Sequence, residues 1–218
     1  MMQFQDRRDA GKKLARELVR YAERTDVLVL ALPRGGVPVA YEVALALNAP
    51  LDVFIVRKLG LPDREELAIG AIASGDIRVL NEDVVELLNV PDEVINFVAS
   101  RELQELQRRE HTYRGERPAP DVRDRTVILI DDGLATGASM RAAVAGLRAH
   151  HPARIVVAVP AASKEACESL RQEVDEIVCA ITPEPFLGVG RWYEDFRQTS
   201  DEEVRALLEE ANRQVLHE

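Results

Sequence analysis

Two adjacent carboxylates, Asp131 and Asp132, stand directly after the apolar run Val127-Ile128-Leu129-Ile130 and directly before a loop of small residues. A pair of acceptors suits vicinal hydroxyl donors or a divalent cation, and it repels phosphate. The residues that follow suit the phosphate instead. Ala135, Thr136, Gly137, Ala138 and Ser139 are small enough for backbone N–H groups to converge on an anion, and Thr136 and Ser139 add hydroxyls. The helix behind them contributes unpaired donors and the positive end of its dipole. Together the two halves describe a place for a ribose 5-phosphate. The plainer alternative is a polar turn after a core strand, capped by Ser139; the ordered combination argues against it. Neither a Gly-rich dinucleotide loop nor a P-loop fits, because both glycine spacings and the P-loop lysine are missing.

The elements that must position these groups follow from hydrophobic periodicity. Residues 127–130 form a continuous β-branched run, as expected of a strand buried on both faces. From Ser139 onward, Met140, Ala143, Val144 and Leu147 recur at helical spacing. Upstream, the pattern predicts a helix over 6–22, a strand over 26–32, a helix over 39–47 and a strand over 51–56. A charged, loop-like stretch over 57–66 and a small-residue segment over 68–74 come next. Gly75-Asp76 then reads as a hairpin turn into 77–80. A short helix over 83–88 and a long one from Asp92 to about residue 113 precede the acidic strand. Downstream lie a strand over 154–159, a helix over 164–173, a strand over 176–180, a Pro- and Gly-rich segment over 182–190 and a last helix opened by Ser200 and Glu203 as a capping box. Strands alternate with helices throughout, so the expected fold is α/β, with a mostly parallel central sheet flanked by helices on both faces.

The chain has 218 residues, enough for one sizeable domain with a full core. A formal net charge of −10 argues against non-specific binding to nucleic acid or an anionic membrane. Cys167 and Cys179 show no metal-type spacing and read as small core residues of a reducing cytoplasm. No signal-type apolar segment and no run of membrane-spanning length occurs, so a cytoplasmic location is the expectation.

The stretch VILIDDGLATGAS closely resembles the phosphoribosyl-pyrophosphate (PRPP) motif of the type I phosphoribosyltransferases. That motif has an apolar run, two acidic residues, a few small or apolar residues and then Thr-Gly-x-Ser/Thr, and every slot is filled. The resemblance covers roughly residues 27–180. It implies one phosphoribosyltransferase-like domain over 1–218, with a core at about 27–180 and a small hood and helix at about 181–218.

Other residues take roles through that resemblance. Arg34-Gly35-Gly36 ends the first strand, where backbone N–H groups and a guanidinium fork could hold an anion; it resembles the family's pyrophosphate loop, which often has an unusual peptide geometry. Arg57 and Lys58 follow the second strand and precede residues 60–68, the place of the family's mobile loop, and could neutralise charge on leaving pyrophosphate. Arg64 is a weaker candidate for that task. Four of the chain's ten Phe, Trp and Tyr residues fall within 186–196. This cluster looks like the base-covering hood of purine-salvage enzymes, with Phe186 stacking, the Leu187-Gly188-Val189 backbone reading the base edge, and Trp192 as a further base contact. No lysine stands just before the hood, where those enzymes use one on the purine oxo group.

The resemblance implies transfer of a 5-phosphoribosyl group from PRPP to a nitrogenous base, with pyrophosphate released. Asp131 and Asp132 would take the ribose hydroxyls, in part through Mg²⁺, residues 135–139 the 5-phosphate, and Arg34, Gly35 and Gly36 the pyrophosphate. The alternative is a non-catalytic PRPP- or nucleotide-sensing regulator on the same fold. The acceptor is left unnamed and a homodimer is left open.

Overall fold

The computed structural model describes residues 3–62 and 64–215. In chain order its elements are α1 (Arg7–Glu17), β1 (Val27–Ala31), α2 (Gly36–Leu47), β2 (Leu51–Val53), β3 (Val56–Leu61), β4 (Arg64–Ala73), β5 (Ile77–Leu80), α3 (Glu82–Leu87), α4 (Asp92–Arg114), β6 (Thr126–Ile130), α5 (Ala138–Arg148), β7 (Arg154–Ala161), α6 (Lys164–Leu170), β8 (Glu176–Ile181) and α7 (Asp201–Val215). Single turns of 3-10 helix lie at Val19–Tyr21 and Val189–Trp192.

Five strands make one parallel sheet in the order β2-β1-β6-β7-β8. Alternate residues of its central strands feed two cores. Val27, Val29, Ile128, Ile130 and Val156 belong to one core with buried residues of α1, α2, α4 and α7. Leu28, Leu30, Val127, Leu129, Ile155 and Val157 face α5 and α6. Helices on both sides are the reason these strands read as continuous apolar runs rather than alternating ones. In α5, Met140, Ala143, Val144 and Leu147 form the buried stripe that the spacing predicts. Each such large side chain, buried fully, contributes about 1.5–3 kcal/mol.

The structure departs from the sequence expectations in instructive places. The first helix closes at Glu17, and Val19–Tyr21 continues as a 3-10 turn. α2 begins at Gly36, earlier than expected, because Pro38 falls in its first turn, where a missing N–H is harmless. The expected strand over 51–56 divides: β2 stays in the main sheet, while Val56 starts a separate antiparallel sheet, β3-β4-β5. Residues 57–61 and 64–73 are therefore a hairpin and not a loop with a small-residue segment. Leu59 and Ile69 explain this, since both are fully buried in the core that also takes Ile95, Val98 and Leu106 of α4. That burial outweighs the charged look of the segment. Most of the expected mobile loop over 60–68 is thus strand; Asp63 and the side chain of Arg64 lie outside the described residues. The turn into β5 holds Gly75 at φ +82° and Asp76 at φ +59°, the left-handed region that these residue types tolerate.

Cys167 is buried in the core beneath α6 and Cys179 packs against it, as expected of small core residues, and the structure joins the two as a disulfide between α6 and β8, a pairing not expected from the sequence. No helix among the described residues is long and apolar enough to cross a membrane.

Candidate functional site

β1 pairs with β2 on one side and with β6 on the other. The chain crosses from β1 to β2 through α2, and from β6 to β7 through α5, in opposite directions along the sheet. The β1/β6 junction is therefore a topological switch point, where open α/β sheets form a crevice at the carboxyl ends of their strands. The Arg34-Gly35-Gly36 loop and the Asp131-Asp132 pair both leave the sheet there. Leu32 N–H donates to the Ile130 carbonyl at 2.8 Å. A β-carbon at Gly36 would lie 2.7 Å from that same carbonyl oxygen, and one at Gly35 would lie 2.1 Å from Asp132 Oδ2. Tandem glycine is what allows the two loops to touch. The Pro33–Arg34 peptide between β1 and these glycines is cis. Arg34 is half-buried, with Nη1 3.8 Å from Asp201 Oδ1 at the start of α7.

The two carboxylates are not equivalent. Asp131 Oδ1 accepts the Asp132 N–H at 2.8 Å. Burial, and next the charge of Asp132, push the Asp131 carboxyl well above the usual carboxylate range. Burial also raises Asp132, against the pull of Arg7. Arg7, on α1, places both Nε and Nη2 at 2.8 Å from Asp132 Oδ2. The Asp132 carbonyl accepts the Tyr193 phenol at 2.5 Å. Burial, and then Asp132, raise the Tyr193 phenol. A site that penalises its own negative charge favours hydroxyl donors or a cation at the acidic pair. Among the described residues no group of three or more His, Cys, Asp or Glu side chains could hold a metal. The pair could supply at most two carboxylates to a divalent cation.

The phosphate-type loop is braced from the next strand. Leu134 N–H donates to Ala161 O at 2.9 Å, Ser163 N–H to Leu134 O at 2.9 Å, and Ser163 Oγ to Ala135 O at 2.8 Å. Gly137, at φ +75°, is the N-cap of α5, which the glycine reaches without strain. Ala135, Thr136 and Ser139 are exposed on that loop.

Clefts open on two sides of it. One, of about 680 Å³, brings Arg57 and Lys58 together with Ser139. Glu102 of α4, 8% exposed, holds Arg57 there at 2.6 and 2.8 Å and also pairs with Arg101 at 3.1 Å. The other, of about 840 Å³, gathers Ala135, Thr136, Lys164, Glu184 and Phe186. Arg34, Gly35 and Gly36 border neither cleft.

Three placements revise the sequence reading. Lys164, remote in sequence from the aromatic segment, lines the same cleft as Phe186, with its ammonium 3.8 Å from Glu184 Oε1. Its position after β7, another parallel strand of the same sheet, was the available signal. Trp192 does not line that cleft. It is 7% exposed and stacks against Phe186 with ring centroids 6.5 Å apart, drawn into a small core with Phe4, Ala10 and Tyr193. Leu187 is 65% exposed at the surface. Arg7 carried no local signal, being an ordinary arginine on an amphipathic helix 125 residues before its partner.

The phosphoribosyl transferase domain family matches residues 3–190. Two Mycobacterium tuberculosis proteins, from strains CDC 1551 and H37Rv, carry the names "Putative phosphoribosyl transferase MT0597" and "Putative phosphoribosyl transferase Rv0571c". Each is 46% identical over 213 residues, which is 98% of this chain and 48% of the relative, so the chain spans about half the length of those relatives. The crystal structure of TT1426 from Thermus thermophilus superposes with a TM-score of 0.85 at 43% identity, covering 96% of this chain and 99% of that one.

Proposed function

The chain belongs to the phosphoribosyl transferase domain family, and from that membership we propose that it moves a 5-phosphoribosyl group from PRPP to a nitrogenous base and releases pyrophosphate. The observation that carries this reading is the contact of the Gly35-Gly36 loop with the acidic pair at the sheet's switch point. A sugar-diol site and a second anion site then lie side by side, as a pyrophosphorylated ribose requires.

In this reading the 5-phosphate sits on the backbone and hydroxyls of Ala135, Thr136, Gly137, Ala138 and Ser139. The ribose hydroxyls meet the Asp131-Asp132 pair, and the pyrophosphate meets Arg34 and the Gly35-Gly36 loop, whose Gly36 N–H is already turned back onto the Leu32 carbonyl at 3.1 Å. Mg²⁺, held by the acidic pair and by ligand oxygens, would supply charge neutralisation at the pyrophosphate. Departure of pyrophosphate leaves an oxocarbenium-like sugar, so the protein's work is positioning and electrostatic stabilisation. Arg57, oriented by Glu102, and Lys58 add positive charge at the adjoining cleft. Phe186 offers a stacking face to a planar acceptor, with the Leu187 backbone at its edge, while Lys164 offers an ammonium to a ring carbonyl oxygen. Trp192 supports Phe186 from behind.

Two measurements test the proposal. Titration calorimetry of the double variant Asp131→Asn, Asp132→Asn should show Mg²⁺-dependent PRPP binding abolished with the fold intact; unchanged affinity would refute the site. A pyrophosphate-release assay with pooled purine, pyrimidine and orotate acceptors should show turnover. Tight PRPP or nucleotide binding without turnover on any base would instead favour the sensing role.

A further inference from the structure

We infer that Arg7 is a positioning residue for the acidic pair: it commits Asp132 to an internal ion pair, leaving Asp131 as the carboxylate that meets the ligand's diol. This rests on the PRPP reading above and divides labour within a pair that sequence presents as equal.

Asp132 is held at both ends. Its Oδ2 takes two N–H groups of Arg7, each at 2.8 Å, and its carbonyl takes the Tyr193 hydroxyl. The same Oδ2 sits where a side chain on Gly35 would be, so the glycine loop encloses it from the other side. The Arg7 and Asp132 side chains are 11% and 16% exposed, and a charge-assisted pair so shielded is stronger and better oriented than a surface one. Asp131, by contrast, spends one oxygen on the neighbouring N–H and leaves the rest of its carboxylate for a donor.

Arg7 is itself fixed on every side. Its Nη1 donates to the Arg197 carbonyl at 2.6 Å, and its guanidinium lies 4.0 Å from the centre of the Phe196 ring. The residues before it are stitched to the same C-terminal stretch: Phe4 N–H to Trp192 O at 2.8 Å, Glu194 N–H to Phe4 O at 2.8 Å, and Asp195 N–H to Gln5 O at 2.9 Å. The start of the chain and the segment that carries the base-side aromatics are thereby clasped together, with Asp132 as the point where the clasp reaches the ligand loop.

The test is a binding cycle on Arg7→Gln, Asp132→Asn, their double variant, Arg7→Lys and Asp131→Asn, titrated with PRPP plus Mg²⁺ and, separately, with inorganic phosphate. Arg7→Gln and Asp132→Asn should each weaken PRPP about tenfold, and the double variant no further, because both act through one pair. Arg7→Lys should recover part of the loss, and Asp131→Asn should weaken PRPP by roughly a hundredfold or more. Inorganic phosphate, read by the 135–139 loop, should bind all five alike; a general collapse of the site would weaken it too and would overturn the proposal. Tighter PRPP binding by Arg7→Gln, additive losses in the double variant, or equal losses at Asp131 and Asp132 would also overturn it. Should Arg7→Gln fail to fold, Arg7→Lys carries the same comparison. If the unaltered chain binds no PRPP, the transferase reading falls together with the role given to Asp131. The Arg7–Asp132 link is then judged alone, by the same cycle in ligand-free thermal unfolding.

Discussion

Replacing Gly36 with alanine would force apart the two loops on which the proposed site depends, and the structure sets the size of the effect. The added β-carbon would stand 2.7 Å from the Ile130 carbonyl oxygen, 3.0 Å from Asp131 Cα and 3.4 Å from Asp131 Oδ1. The first two are backbone atoms, which no rotamer change can clear. Ordinary contact begins near 3.4 Å, so the β1 and β6 loops must separate by about 0.7 Å. Gly36 is the first residue of α2, so the cost is steric rather than conformational. Overpacking of this kind typically costs about 1–3 kcal/mol. For a chain of this size that lowers the melting temperature by roughly 2–12 °C, at about 2–4 °C per kcal/mol. A shift of that order at a positioned ligand should also weaken PRPP binding by about tenfold or more. Differential scanning calorimetry reads the first effect, and titration with PRPP and Mg²⁺ the second. If the alanine variant melted and bound like the parent, the close contact of the two loops, and the shared site built on it, would be refuted. Gly35→Ala is a useful contrast. The three atoms nearest its β-carbon belong to side chains, chiefly Asp132 Oδ2 at 2.1 Å, so that variant should disturb the Arg7–Asp132 pair more than the backbone.

Three further outcomes follow from the geometry. Glu102→Gln should loosen Arg57 and weaken pyrophosphate binding about threefold to tenfold in a product-inhibition assay, a modest loss because Arg57 is partly screened by water. Phe186→Ala should weaken binding of nucleoside monophosphates by about tenfold or more in competition titrations while leaving PRPP affinity unchanged, since base stacking on an aromatic is worth about 1–3 kcal/mol. Tyr113 donates to Asp201 at 2.7 Å, and burial, with that hydrogen bond second, pushes its phenol from an ordinary 10.0 up to about 12. Because the folded value is the higher one, the tie between α4 and α7 is fully present below pH 10 and is lost as pH rises through about 12. Tyr113→Phe should therefore flatten the alkaline limb of the stability profile in that window; an unchanged limb in pH-dependent thermal unfolding would count against it.

The segment from Thr126 to Arg148 was legible because everything it needs is local. An apolar strand, two acids, a small-residue loop and an amphipathic helix follow one another without interruption, so order along the chain is order in space. The same holds for the long α4 after Pro91, for the Gly75-Asp76 turn and for the α7 start, where Ser200 Oγ accepts the Glu203 N–H at 3.1 Å. The β3–β4 hairpin was not legible, since its charged residues masked Leu59 and Ile69, whose burial depends on α4 packing over them.

By itself, then, the sequence determined the alternation of strands and helices and the chemistry available at one strand end, because both are written in contiguous residues. Which strand ends lie side by side was decided only in three dimensions. Pairing β1 with β6 brought Gly35 and Gly36 against the acids, and the turn after β7 put Lys164 on the cleft that Phe186 also lines. The difference between Asp131 and Asp132 is the clearest case. The two are adjacent in sequence and alike in type, and only a guanidinium arriving from α1, 125 residues away, sets them apart.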